Sequence, residues 1–320
     1  MATVAGWVEA VREADARSLA RVLSVVENRG PQAEELLRAL FPAGGGATTI
    51  GVTGAPGAGK STLVDQLARE YRRRQERVGI VAVDPTSPFS HGAILGDRVR
   101  MQALFGDPGI FIRSMATRGS LGGLSAATAD ACAVLDAAGF RRVMIETVGV
   151  GQGEIDIVQL ADVVLVVLVP GMGDDVQTLK AGILEIADIF VLNKADRGAD
   201  RLQQELRAML GLARRADGWR PAIVQTVATE ARGIAELCAA IADFESFQAA
   251  EDRRAARRRE QWRRRLERLL RDRWYEAALA PHLPAAALDE AADAVAARRS
   301  DPYGAAEALI AMARRAAERG

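Results

Sequence analysis

Gly54-Ala-Pro-Gly-Ala-Gly-Lys-Ser61 decides the reading of this chain. The stretch fits the pattern GxxxxGK[ST]. An apolar run, Thr48–Thr53, precedes it and a helical stretch, Ser61–Tyr71, follows, which is the strand–loop–helix context the pattern requires. Its glycines let backbone N–H groups turn inward around phosphate oxygens, and the helix N-terminus adds partial positive charge. Gly54, Ala55, Pro56, Gly57, Ala58, Gly59, Lys60, Ser61 and Thr62 are therefore the expected phosphate-binding residues. Lys60 is expected to reach the β- and γ-phosphates and the Ser61 hydroxyl to coordinate Mg²⁺. The competing reading is a plain glycine-rich turn. Lysine usage argues against it: only Lys60, Lys180 and Lys194 are lysines, and every other basic residue among the 42 is arginine. A compact point charge has been kept where arginine does not substitute.

Outward from this loop, short apolar runs recur at Thr48–Thr53, Val78–Val83, Ile110–Ile112, Val143–Ile145, Val163–Val169, Ile189–Leu192 and Ile223–Val227. Several are apolar throughout, as in strands buried on both faces. Helical stretches separate most of them. The expected fold class is α/β, with a doubly wound, mostly parallel sheet forming a P-loop NTPase domain flanked by N- and C-terminal helical extensions.

Asn193-Lys-Ala-Asp196 follows the sixth run. At the end of a strand downstream of a P-loop, NKxD reads guanine: a carboxylate accepts both the ring N1–H and the exocyclic amine, a pattern adenine cannot offer. GTP/GDP is thus expected over ATP, with Asn193, Lys194 and Asp196 at the base. Glu146-Thr-Val-Gly149 ends the fourth run in the place of a Walker B acid and a DxxG-like turn. Glu146 is expected to act on Mg²⁺ and the Gly149 amide to sense the γ-phosphate. Asp84 and Asp97 are candidates to complete the metal shell, against a reading of Asp84 as a turn cap beside Pro85. No glutamine directly follows Gly149, Gln152 coming three residues later. Slow unassisted hydrolysis is expected, which suits a switch.

Val8, Val11, Leu19, Val22, Leu23 and Val26 are spaced as one helix over 4–27, ended by Asn28-Arg29-Gly30. A second helix runs from Pro31 to about Leu40. After residue 244 strand signals stop, and 245–279 reads as one long helix with Trp262, Leu266, Leu269, Leu270 and Trp274 on one side. Two shorter helices follow, 285–299 and 302–318. The expected domains are 1–44, 45–244 and 245–320. The arginine-rich stretch Arg253–Arg273 is interleaved with Glu260, Glu267 and Asp272, so it reads as a solvated helix face rather than a nucleic-acid surface. Acidic and basic residues balance at 42 each. Cys132 and Cys238 stand apart, with no disulfide framework or zinc pattern. The longest apolar run, Val163–Val169, is too short to cross a membrane. The N-terminus lacks an apolar signal segment, so a cytoplasmic location is expected.

Five further segments fit together: Ala82-Val-Asp-Pro-Thr-Ser-Pro88, Gly92-Ala-Ile-Leu-Gly-Asp-Arg98, Arg118-Gly-Ser-Leu-Gly-Gly123, Glu146-Thr-Val-Gly-Val-Gly-Gln152 and Pro170-Gly-Met-Gly-Asp-Asp-Val-Gln177. With them the chain resembles the MeaB/ArgK-type GTPases, chaperones of methylmalonyl-CoA mutase and related adenosylcobalamin-dependent acyl-CoA mutases. The resemblance spans nearly the whole chain, from Val26-Glu-Asn-Arg29 to Pro302-Tyr303. It implies GTP-gated loading of adenosylcobalamin into a client mutase and release of damaged cofactor, with the cobalamin handled through the client rather than bound stably. It implies a homodimer built largely by the C-terminal helices, residues 245–320 being the dimerisation region, and an adenosyltransferase is a further candidate partner; neither a nucleic acid nor a membrane is expected as a partner. By motif match Asp84, Asp97 and Glu146 take the magnesium-site acids, and Gln177 and Lys180 fall in a loop that responds to the mutase. Two residues depart from the family pattern. Gly153 stands where Ser is usual, and Val227-Ala228 replaces Ser-Ala in the late guanine loop (Val227, Ala228, Thr229), leaving the Ala228 amide but no hydroxyl for the base. These departures leave room for a less common mutase as client. A small-molecule P-loop kinase is opposed by NKxD. A nickel-delivery GTPase is opposed by the lack of clustered His and Cys ligands, since only His91 and His282 are present.

Overall fold

The structure, a computed structural model, describes residues 3–85, 104, 106–117, 123–147, 160–171, 185–212 and 215–318. Seven strands form one sheet: β1 (Thr48–Gly54), β2 (Val78–Pro85), β3 (Ile110–Thr117), β4 (Arg142–Thr147), β5 (Val163–Leu168), β6 (Ile189–Asn193) and β7 (Ala222–Thr226). All neighbours are parallel, in the order β3-β2-β4-β1-β5-β6-β7. All seven expected runs are strands, and the chain is doubly wound about β1.

Alternation within the apolar runs explains why they lack polar positions. Val143 and Ile145, Val164 and Val166, and Phe190 and Leu192 face one buried layer. Met144, Val163, Leu165, Val167, Ile189 and Val191 face the other. Side chains on a strand point alternately to either face, so a strand covered on both sides is apolar at every position. The first layer is completed by α1 (Val4–Arg12), α2 (Ala16–Glu27), α3 (Ala33–Leu40), α5 (Gly123–Ala137) and α6 (Asp200–Leu212). The second is completed by α4 (Lys60–Arg73) and α7 (Ile234–Ala249), through Leu63, Leu67, Tyr71, Leu237, Ile241 and Phe244. The chain enters β1 through Gly44–Ala47, where the Asp136 carboxylate accepts the amides of Gly45, Gly46 (3.1 Å) and Ala47 (2.8 Å).

Two expected helices are each divided. Residues 4–27 form α1 and α2, broken at Ala14, whose φ is 56°. Asp15 starts the second helix by accepting the Ser18 amide at 2.7 Å, and the hydrogen bonds from Ser18 hold its carboxyl below the usual range. An N-cap thus prevailed over an unbroken apolar periodicity. The helix expected over 245–279 is also two elements. Its first residues belong to α7, which ends at Ala249. Glu251 and Asp252 then adopt φ of 53° and 55° before α8 (Arg253–Trp274) begins. A single wide turn, Tyr275–Leu279, follows α8.

Residues 1–257 form one compact unit and 258–320 another. Within the second, α9 (Ala287–Ala296) and α10 (Pro302–Ala317) bury Ala287 and Ala313. Asp301 caps α10 by accepting the amides of Tyr303 and Gly304, both at 3.0 Å. On α8, Trp262, Leu266 and Trp274 are 39%, 56% and 53% exposed. Glu260 there accepts from Arg263 and Arg264, and Glu267 from Arg263, so arginines and acids pair along the exposed helix. Among the described residues no helix is long and apolar enough to cross a membrane.

Candidate nucleotide site

The phosphate loop leaves β1 between two close backbone approaches. Gly54 has φ 142°, and a Cβ there would lie 2.2 Å from the Val167 carbonyl oxygen on β5. Gly59 has φ 86°, and a Cβ there would lie 2.5 Å from Asn193 Nδ2. Both positions therefore require glycine. The side chain of Lys60, 6% exposed, donates to the carbonyl oxygens of Gly54 (2.8 Å) and Ala55 (3.0 Å) and so lies along the loop's inner rim. Ser61, in the first turn of α4, donates from Oγ to Glu146 Oε1 at 2.5 Å. Glu146 comes from the end of β4, in register with Val52 of β1 on one side and Ala82 of β2 on the other. Behind them the buried hydroxyls of Thr147 and Thr53 lie 3.3 Å apart, tying the ends of β4 and β1.

The base-reading motif is joined to this loop through Asn193, which is 2% exposed. Its Nδ2 donates to the Ala58 carbonyl at 2.8 Å. Its Oδ1 accepts from Thr226 Oγ1 (3.1 Å) and from the Ala228 amide (3.2 Å). One amide side chain thus bridges the phosphate loop, the end of β7 and the late loop. The Ala228 amide, expected to face a guanine oxygen, points to Asn193 in this structure. Lys194 is in the left-handed region (φ 55°) and donates to the Gly57 carbonyl at 2.8 Å. Asp196 is exposed on the short turn Ala195–Arg197. Val227 is buried; its amide donates to the Arg232 carbonyl at 3.0 Å, closing the late loop, and Thr229 beside it is exposed. Gly233 completes that turn, since a Cβ there would lie 2.1 Å from the Gln225 carbonyl oxygen.

The fold therefore brings Gly54–Thr62, Glu146, Asn193–Asp196 and Val227–Thr229 to one edge of the sheet, at the C-terminal ends of β1, β4, β6 and β7. This is where ligands bind in open α/β sheets. The backbone of Asp84 lies next to the last residue of β2, at the same edge; its side chain, and Asp97, Gly149, Gln177 and Lys180, lie outside the described residues. Sequence reading missed Thr226 and Gly233. The first ends a strand beside Asn193, and the second is a lone glycine where φ is 80°.

A family model described as methylmalonyl-CoA mutase-associated GTPase MeaB matches residues 19–282. This chain belongs to the MeaB family. A Pyrococcus abyssi protein is 53% identical over 264 residues, 81% of this chain and 80% of its own length. The Escherichia coli protein named GTPase ArgK is 37% identical over 261 residues, 79% of each chain. The mouse methylmalonic aciduria type A homologue, mitochondrial, is 36% identical over 217 residues, 66% of this chain and 52% of its own. A crystal structure of a LAO/AO transport system kinase superposes with a TM-score of 0.68 at 27% identity, covering 96% of both chains. As a member of the MeaB family the chain is a GTPase and binds guanine nucleotide.

The oxygens of Ser61 and Glu146 fit a hard divalent cation such as Mg²⁺, which takes oxygen ligands and a hydroxyl–carboxylate pair beside the phosphates. Among the described residues no group of three or more His, Cys, Asp or Glu side chains gathers as a complete metal site.

Proposed function

We propose that this GTPase gates the loading of adenosylcobalamin into an acyl-CoA mutase of the methylmalonyl-CoA mutase type and releases damaged cofactor. The observation that carries the reading is the match of residues 19–282 to a family described by its association with that mutase. The cobalamin is passed through the client and not held stably by this chain. An adenosyltransferase is a candidate source of the cofactor.

At the nucleotide site, Gly54–Thr62 wrap the phosphates with their amides, and Lys60 swings from its carbonyl partners onto the β- and γ-oxygens. Asp196 accepts from guanine, Lys194 packs beside it and Asn193 holds the two loops in place. Ser61, Glu146, Asp84 and Asp97 are the proposed Mg²⁺ set. The bound ion would supply charge neutralisation of the phosphate oxygens. Gly149 senses the γ-phosphate, and Gln177 and Lys180 act in hydrolysis only when the client is bound. The exposed apolar side of α8 (Trp262, Leu266, Trp274) is covered by a second copy in a homodimer.

The test is transfer of adenosylcobalamin into cofactor-free mutase, followed by the cobalamin spectrum. Loading should depend on GTP in the presence of this protein. Loading that proceeds identically with GTP, GDP or no nucleotide would sink the proposal.

A further inference from the structure

At the end of the sheet away from the nucleotide loops, one segment grips the feet of four adjacent strands. Glu245 Oε1 on α7 accepts from Thr48 Oγ1 (2.6 Å), the first residue of β1, and from Arg142 Nη1 (2.5 Å), the first residue of β4. Arg254 Nη2 on α8 donates to the Ala47 carbonyl (3.1 Å) and lies 3.6 Å from the carboxylate of Asp162, which precedes β5 and accepts the Thr49 amide (3.0 Å). Arg257 donates twice to Asp188 (3.1 and 3.0 Å), the residue before β6. Asp188 is 0% exposed and also accepts the Val164 amide (2.9 Å) and Arg215 (3.0 Å). In the sheet β4, β1, β5 and β6 are consecutive.

The other ends of three of these strands carry the chemistry. β1 leads into Gly54–Ser61, β4 into Glu146 and β6 into Asn193–Asp196. With strands of five to seven residues at about 3.3 Å each, the feet lie roughly 17–23 Å from the loops, so none of these side chains touches nucleotide. A need for stability alone does not account for the set. Replacing a buried ion pair by apolar packing is often neutral or stabilising, so pairs of this kind are weak evidence of a purely stabilising role. Glu245, Arg254 and Arg257 come from one stretch, 245–257, while Arg215 also holds Asp188 and Glu76 also accepts from Arg142. Burial opposes the charge on Arg142, but Tyr71, Glu245 and Glu76 more than offset it and raise its pKa, so the guanidinium stays charged.

We infer that the 245–257 segment positions the nucleotide site from the far end of the sheet, Arg257–Asp188 setting the base loop through β6 and Glu245–Arg142 setting Glu146 through β4. Glu245, Arg254 and Arg257 are positioning residues. The inference rests on the nucleotide-site reading above.

The test uses full-length Arg257→Met and Arg142→Met, with GDP and IDP affinities and the Mg²⁺ dependence of GDP binding measured at 25 °C. IDP lacks the amino group that Asp196 would accept. Arg257→Met should lower the GDP-over-IDP preference by about fivefold or more and leave the Mg²⁺ half-saturation unchanged. Arg142→Met should raise the Mg²⁺ half-saturation by about fivefold and leave the base preference unchanged. Should Arg257→Met not fold, Arg257→Lys, which keeps the charge but loses the two-pronged contact, should show the same split at smaller size. Variants that melt lower but keep both the base preference and the Mg²⁺ dependence would overturn the inference and leave a structural role only. Equal loss of both properties in both variants would overturn it too. A wild-type protein with no preference for GDP over ADP would instead remove the nucleotide-site reading itself, and this inference with it.

Discussion

Asn193→Ala offers the sharpest test of how the site is held together. The side chain makes three hydrogen bonds, to Ala58, Thr226 and the Ala228 amide, at 2.8, 3.1 and 3.2 Å. Each is worth about 1 kcal/mol net, so their joint loss costs about 3 kcal/mol. Thr226 and Ala228 are 1% and 3% exposed, so water does not readily replace the lost partner. For a unit of this size about 1 kcal/mol moves Tm by roughly 2–4 °C, giving a fall of about 6–12 °C without nucleotide. Thr226→Val removes one of the three bonds and should cost about a third as much. Thermal unfolding followed by circular dichroism measures both. A fall under about 2 °C for Asn193→Ala, or equal falls for the two variants, would refute the hub role of Asn193.

Lys60→Ala should weaken GTP and GDP by at least about a hundredfold in calorimetry, because a charge-assisted contact to phosphate is lost; near-normal affinity would remove the P-loop assignment. Asp196→Asn should shift preference from GTP toward XTP, whose 2-oxo group accepts from the new amide; retained GTP preference would mean another group reads the base. Burial pushes the Cys238 thiol up to about 11 from an ordinary 9.0. Its folded pKa lies above the unfolded one, so the stabilisation from the neutral thiol is whole below pH 9 and fades between 9 and 11. Iodoacetamide at pH 8 should spare Cys238 until the protein is unfolded; rapid alkylation of native protein would contradict its burial.

The seven strands were legible because burial on both faces leaves uninterrupted apolar runs, as at Val163–Leu168 and Ile189–Leu192. Their ends were less so: Gly54, Thr147 and Asn193 extend strands into the polar loops they serve. The break at Ala14 carried a signal, Asp15 three residues before Ser18, that the helical periodicity masked. The break at Glu251-Asp252 carried little: Asp tolerates positive φ, but Glu251, which opens the break, is not a residue that favours it. What accompanies it is tertiary, the grip of Arg254 and Arg257 on the sheet. The phosphate and base motifs were legible because each is a contiguous string of residues. Asn193 as the bridge between them was not, since its partner Ala58 lies 135 residues away. Nor was the network at the strand feet, where Arg257 meets Asp188 across 69 residues and Arg254 meets Ala47 across 207. Arginine–carboxylate pairs at such separations leave no pattern along the chain.

The central claim is that this GTPase answers to an acyl-CoA mutase, and GTP turnover with and without saturating methylmalonyl-CoA mutase tests it most directly. Slow turnover alone and an increase of about tenfold or more with the mutase are expected, an acceleration absent in Lys180→Ala although its unassisted rate is kept. Turnover that is the same with and without methylmalonyl-CoA mutase, and with related adenosylcobalamin-dependent mutases in its place, would contradict the account.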